Sequence, residues 1–206
     1  MNLPNTLTLA RIFLVPLLVA ALVQDPTTYR ALGWSFGPKT LALLFFLVAA
    51  FTDLLDGYLA RKWRQVTTLG TLLDPVADKL LISAALIALV EIKAVPAWMA
   101  ILIIARDFAI SGLRNIASTE GYVIPASDLG KSKMALQVAG VGFTMLGTEW
   151  TVAAPIGVAT MWAALVFTLV SAVDYVRHFW TKIDVSIKQR RRNELLLLER
   201  TRRRAA

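Results

Sequence analysis

Residues 41–90 read LALLFFLVAAFTDLLDGYLARKWRQVTTLGTLLDPVADKLLISAALIALV. Two long apolar runs flank a short basic link containing Arg61, Lys62 and Arg64, and each approaches the roughly 20 residues that a bilayer-spanning helix needs. Asp53, Asp56, Asp74 and Asp78 sit inside those runs. A charged carboxylate facing lipid costs at least a few kcal/mol, so four of them predict helices that turn their acidic faces inward, onto one another and onto something cationic.

The same apolar texture extends along the whole chain. Six hydrophobic segments are predicted, at about 8–23, 38–60, 73–92, 95–118, 132–148 and 152–176, separated by Asp25-Pro26, Gly33, Gly37-Pro38, Gly70, Pro96, the 121–130 stretch and Pro155. No stretch alternates with period two over the length of a strand, and the expected fold is all-α: a polytopic bundle of six transmembrane helices. Of the 206 residues, 57% are hydrophobic and the mean hydropathy is +0.61, more than one soluble core requires. There is no cysteine, which excludes disulfides and thiolate metal sites, and the single histidine, His178, excludes a multi-histidine centre within one chain. The start, MNLPNTLTLAR, lacks the basic region and cleavage site of a secretory signal, so the first hydrophobic segment is expected to be retained.

Positive charge sets the expected topology. The formal net charge is +8, and from Lys188 onward eight Lys or Arg face two Glu. Beside a bilayer, such a tail reads as an anchor to anionic headgroups, and nucleic acid is not expected as a partner. The Arg61–Arg64 link, the approach to Lys131 and Lys133 and the tail fall on one side, while the turns at 91–95 and 149–151 carry little charge. Both termini are therefore expected in the cytoplasm, with a multi-pass domain at 1–182 and a basic cytoplasmic tail at 183–206, either an amphipathic surface helix or a frayed, solvated tail, on a cell (inner) membrane protein.

Spacing brings the four aspartates together. Asp53 and Asp56 are three residues apart and Asp74 and Asp78 four apart, so each pair shares one helix face. Measured from Arg61 and Gly70, Asp53 and Asp78 lie roughly 12 Å deep and Asp56 and Asp74 roughly 6–8 Å. Antiparallel neighbours would make a cage open to the cytoplasm. Oxygen-only ligands suit two divalent ions, Mg²⁺ or Mn²⁺, arranged as a clamp for phosphoryl transfer. Gly57 and Gly70 leave room for a diphosphate or base, and Arg61 can pair with phosphate oxygens. The plainer alternative pairs Asp53 and Asp56 with Arg61 and Lys62 and leaves Asp74 as a helix cap.

Asp53 to Asp78 resembles the signature of the CDP-alcohol phosphotransferase family at every fixed position: D, two residues, D-G, two residues, A-R, eight residues, G, three residues, D, three residues, D. The resemblance implies a membrane enzyme in which Asp53, Asp56 and Asp74 bind metal and Asp78 both binds metal and acts as general base. It implies that Gly57, Ala60, Arg61 and Gly70 line the CDP site, together with Thr67 as a hydroxyl near the nucleotide. Pro4, Asn5 and Thr8 resemble a stretch that packs beside the cytidine, and equally suit a helix cap before the first span. Homodimerisation is a further implication. The Gly140-x-Gly142 pair and the small residues at 152–160 suit close packing, between subunits or within one.

The acceptor is read from cations outside the signature. Arg106 and Arg114 lie in A-R-D-F-A-I-S-G-L-R, and Lys131 and Lys133 in L-G-K-S-K. Intramembrane arginines are functional candidates, and four cations suit an acceptor that is itself a phosphate monoester. In the alternative, Asp107 neutralises one arginine and the lysines anchor topology. The strings N-L-P-N-T-L-T-L-A-R, L-D-P-V-A-D-K, I-A-R-D-F, S-G-L-R and L-G-K-S-K resemble the bacterial phosphatidylglycerophosphate synthase branch, with Asp107 departing from the glutamate expected there. This implies phosphatidyl transfer from CDP-diacylglycerol to glycerol 3-phosphate; inositol phosphate or serine are the alternative acceptors. A divalent-cation transporter would need polar positions across the full thickness, whereas Leu41–Ala50 and Ile82–Val90 are almost wholly apolar.

Overall fold

The structure, a computed structural model, describes the backbone of residues 3–24, 29–31, 34–63, 68–119 and 128–205, and the side chains of 6–24, 37–53, 55, 62, 76–77, 79–118 and 133–181. Among the described residues six α-helices follow in order: α1 (Leu3–Val23), α2 (Pro38–Trp63), α3 (Thr68–Glu91), α4 (Ala97–Thr119), α5 (Asp128–Gly147) and α6 (Ala154–Ala205). They coincide with the six hydrophobic segments, α6 running on well beyond its own. One departure lies between α1 and α2, where β1 (Tyr29–Ala31) pairs antiparallel with β2 (Trp34–Phe36) in the register Tyr29↔Phe36 and Arg30↔Ser35. Strands of three residues are too short for alternation to show, although Tyr, Trp and Phe favour extended backbone.

Small residues let the helices approach closely. α1 packs chiefly on α2 and α3, and α5 on α6. The main core gathers Leu18, Leu22, Phe46, Leu86, Leu89 and Ile103, interleaved with Ala42, Ala49 and Ala85, all with no exposed surface. Between α5 and α6 contact is closest at glycine. A Cβ on Gly157 would stand 2.9 Å from the Phe143 carbonyl oxygen and from Thr144 Cα, and one on Gly140 would meet the Met161 backbone at 3.4 Å. The Thr144 hydroxyl donates to the Gly140 carbonyl at 2.7 Å, within its own helix. Gly142 faces Phe46 of α2, so both members of the Gly140-x-Gly142 pair pack inside this subunit.

Two turns shape the end opposite the α2–α3 link. Lys93, at φ 58°, ends α3: its N–H donates to the Val90 carbonyl and that of Ala94 to Leu89, both at 2.9 Å. This is a Schellman closure with lysine in the left-handed position that glycine usually takes. Beyond α5, Glu149 accepts hydrogen bonds from the Thr40 amide at 3.2 Å and from the Thr40 hydroxyl, tying the α5–α6 turn to the start of α2. A Cβ on Gly37 would overlap that carboxylate.

α4 and α6 run parallel, since their contacts climb both helices together: Trp98 with Trp162 (5.7 Å between rings), Arg106 with Ser171, and Arg114 with Tyr175. A second apolar cluster of Ile110, Ala117, Tyr175 and Phe179 joins them near the α4 C-terminus. All six helices expose large apolar side chains, from Phe13 and Leu17 on α1 to Val166 and Trp180 on α6. Two described windows, Thr6–Val23 and Thr151–Thr181, are long and apolar enough to cross a membrane. Elsewhere, charged residues such as Asp53, Arg106, Asp107 and Lys133 interrupt the apolar runs.

The α5–α6 contact yields a stability test. Gly157→Ala should lower the stability of the detergent-solubilised protein by about 1–3 kcal/mol through overpacking. Gly112→Ala, where an added Cβ meets nothing within 4 Å, should lose nothing and gain up to about 1 kcal/mol from helix propensity. Thermal unfolding midpoints of the two variants and the parent measure the contrast.

Candidate active site

The signature lies on two consecutive helices. α2 carries Asp53, Asp56, Gly57, Ala60 and Arg61; α3 carries Gly70, Asp74 and Asp78. Among these the side chain of Asp53 is described, and those of Asp56, Asp74, Asp78 and Arg61 lie outside the described residues, as does Thr67 altogether. Among the described residues no three acidic, histidine or cysteine side chains come together. Pro4 and Asn5 fall in the first turn of α1, where a proline forfeits no helical hydrogen bond; their side chains also lie outside the described residues. Thr8 is buried at 1% exposure, one turn before Arg11.

Arg11 was not singled out in the sequence, and it proves to be the partner of Asp53. Its guanidinium is fully buried, and Nη1 stands 2.6 Å from Asp53 Oδ1, while the aspartate keeps 22% of its side-chain surface. A buried guanidinium demands a carboxylate, and α1 meets α2 here. Asp53 is thus paired across helices, and Lys62 of the alternative pairing is exposed. Nothing but the oddity of an arginine inside LTLARIFL pointed to it.

The donor set fits a hard divalent cation. Asp53 is a partly accessible carboxylate one helical turn before Asp56 on α2, there is no thiolate, and His178 bonds the Asp174 carbonyl far along α6.

A second polar centre joins α4, α5 and α6. Asp107 Oδ1 accepts from Arg106 Nη1 at 3.1 Å and from Lys133, and its Oδ2 accepts from Gln137 Nε2 at 2.9 Å. Arg106 Nη2 donates to the Ser171 hydroxyl, which in turn donates to the Thr168 carbonyl at 3.3 Å. Arg106 and Lys133 are thus brought together around one carboxylate. Gln137 and Ser171 escaped the sequence reading; Gln137, four residues after Lys133 in an apolar helix, was the available signal. Arg114 stands apart. It is exposed, with its guanidinium carbon 5.8 Å from the Tyr175 ring centroid, and it pairs with no carboxylate among the described residues. Lys131 lies on the first turn of α5, its side chain outside the described residues.

Breaking the α1–α2 pair should be costly. Arg11→Met should destabilise the protein by roughly 3 kcal/mol, the low end for a broken buried pair because Asp53 keeps some access to water. Arg11→Lys, which retains the charge, should recover part of this. Unfolding in detergent checks both.

Comparison with known proteins follows the same residues. Residues 1–170 match the CDP-alcohol phosphatidyltransferase family. The chain is 39% identical over 193 residues to the CDP-diacylglycerol–glycerol-3-phosphate 3-phosphatidyltransferase of Bacillus subtilis strain 168, covering 90% of this chain and 98% of that one. It is 35% identical over 179 residues to the protein of that name from Rickettsia felis, covering 85% and 94%. To a probable phosphatidylglycerophosphate synthase of Mycobacterium tuberculosis H37Rv it is 36% identical over 178 residues, covering 85% and 80%. With its signature laid along α2 and α3 and apolar surface on every helix, the chain is a membrane protein that belongs to the CDP-alcohol phosphatidyltransferase family.

Proposed function

We propose that this enzyme transfers the phosphatidyl group of CDP-diacylglycerol to glycerol 3-phosphate, giving phosphatidylglycerophosphate and CMP. The observation that carries the reading is the near full-length likeness to relatives bearing that name, with all eight signature positions kept on α2 and α3. The acceptor hydroxyl oxygen bonds to the β-phosphorus, the bond from that phosphorus to the oxygen bridging to CMP breaks, and the hydroxyl proton passes to Asp78. A carboxylate is a weak base toward an alcohol, so this transfer comes late, as the new bond acidifies the hydroxyl. Asp53, Asp56, Asp74 and Asp78 would hold two divalent ions, Mg²⁺ or Mn²⁺, whose charge offsets that of the diphosphate and the reacting oxygens. Gly57, Ala60, Arg61, Thr67 and Gly70 bind the CDP moiety, with Pro4, Asn5 and Thr8 beside the base. Arg106, Arg114, Lys131 and Lys133 receive the acceptor phosphate.

The membrane arrangement belongs to the same proposal. Each helix has at least 20 residues, enough to span the hydrocarbon. Exposed apolar side chains on all six support six crossings, and the basic α2–α3 link, the start of α5 and the tail support a cytoplasmic active site and cytoplasmic termini. Residues 1–182 form the catalytic unit and 183–206 a basic extension of α6. Homodimerisation rests on the family likeness.

In detergent with Mg²⁺ and CDP-diacylglycerol, CMP release should require glycerol 3-phosphate and fail with serine, inositol 1-phosphate or water. Asp78→Asn should lower kcat by about 10²–10⁴-fold, and chelation of divalent ions should abolish turnover until Mg²⁺ is restored. Release with serine or inositol 1-phosphate instead would keep the reaction class and overturn the acceptor.

A further inference from the structure

We propose that Tyr175 of α6 is a positioning residue for the acceptor site, its ring fixing where the Arg114 guanidinium stands. The inference rests on the reading of Arg114 as a ligand of the acceptor phosphate. Ile110, Leu113, Arg114 and Ala117 follow the spacing of one helix face, and the three apolar members pack into the cluster with Tyr175 and Phe179. Arg114 is the polar member of that stripe. Being exposed, it has no surrounding packing to select its rotamer, and the contact that does so is the face of Tyr175, 5.8 Å from guanidinium carbon to ring centroid. A guanidinium within about 6 Å of an aromatic centroid is attracted to the ring quadrupole.

The ring is itself buried and packed. Tyr175 is 8% exposed and wedged among Ile110, Ala117 and Phe179. Its hydroxyl oxygen is shielded from solvent and has no hydrogen-bond partner among the described residues, so the link to Arg114 runs through the ring and not through a hydrogen bond. A neutral partner also matters for charge. Arg106 and Lys133 share the Asp107 carboxylate, whereas an aromatic ring orients Arg114 without cancelling its charge. Tyr175 thus offers a phosphate monoester a full, pre-oriented guanidinium.

The test is a double-mutant cycle on steady-state CMP release. Tyr175→Leu should raise the KM for glycerol 3-phosphate about two- to fivefold, with kcat and the KM for CDP-diacylglycerol unchanged. Tyr175→Phe, which keeps the ring, should stay close to the parent. Arg114→Ala should raise the acceptor KM further, and adding Tyr175→Leu to it should change nothing more. If Leu at 175 prevents folding, Tyr175→Met carries the same prediction. No acceptor-KM effect of Arg114→Ala would overturn the phosphate reading of Arg114 and this inference with it. An Arg114→Ala effect to which Tyr175→Leu adds in full, or a Tyr175→Leu variant with an unchanged acceptor KM, would overturn the positioning role alone. Equal losses in Tyr175→Phe and Tyr175→Leu would assign the effect to the hydroxyl and sink the role of the ring.

Discussion

The buried pair between Arg11 and Asp53 is the constraint around which the rest of the bundle is arranged. A guanidinium with no exposed surface, enclosed by helices, is tolerable only against a carboxylate at bonding distance. That requirement fixes α1 against α2 in depth and rotation, and it makes α1 a wall of the signature region. Alanines and the small core of the neighbouring turns then allow the approach that the ion pair demands: Ala42 and Ala49 on α2 and Ala21 on α1 are all buried.

The other helices follow the same logic. Helices that expose apolar side chains all round gain little specificity from hydrophobicity once lipid replaces water, and association falls to close packing and polar contacts. Asp107 ties α4 to α5 through Lys133 and Gln137, and Arg106 ties α4 to α6 through Ser171. At the end opposite the α2–α3 link, Glu149 ties the α5–α6 turn to α2. In two of these joints a carboxylate gathers donors from a distant segment, and in the third a guanidinium donates to a hydroxyl. The glycine contacts of α5 with α6 supply the packing half of the arrangement.

Much of this was legible in the sequence, and what was not has a common cause. Contacts that repeat along one helix follow spacing, so the six segments and the placement of the four aspartates on two helices could be read from the chain. Partners across helices cannot be read that way: Arg106 and Ser171 are 65 residues apart, and Gln137 and Asp107 are 30. Arg11, Gln137, Ser171 and Tyr175 were therefore missed. The extent of α6 was obscured for another reason. Apolar content collapses after residue 182, yet Lys, Gln, Arg, Glu and Leu are strong helix formers, and the backbone stays helical through Ala205. The β1–β2 hairpin was invisible because its strands are shorter than one full period of evidence for alternation.

Charge distribution also bears on which acceptor suits the site. A phosphate monoester carries about −1.5 to −2 near neutral pH. In the proposed acceptor site Arg106 and Lys133 share the Asp107 carboxylate, and Arg114 stands against a neutral ring. Three cations with one carboxylate suit such a dianion. Serine, a zwitterion with no net charge, brings no such anion. A substrate that neutralises the site is favoured over one that does not. Under that proposal Asp107 would share in the selectivity, because it holds Arg106 and Lys133 together.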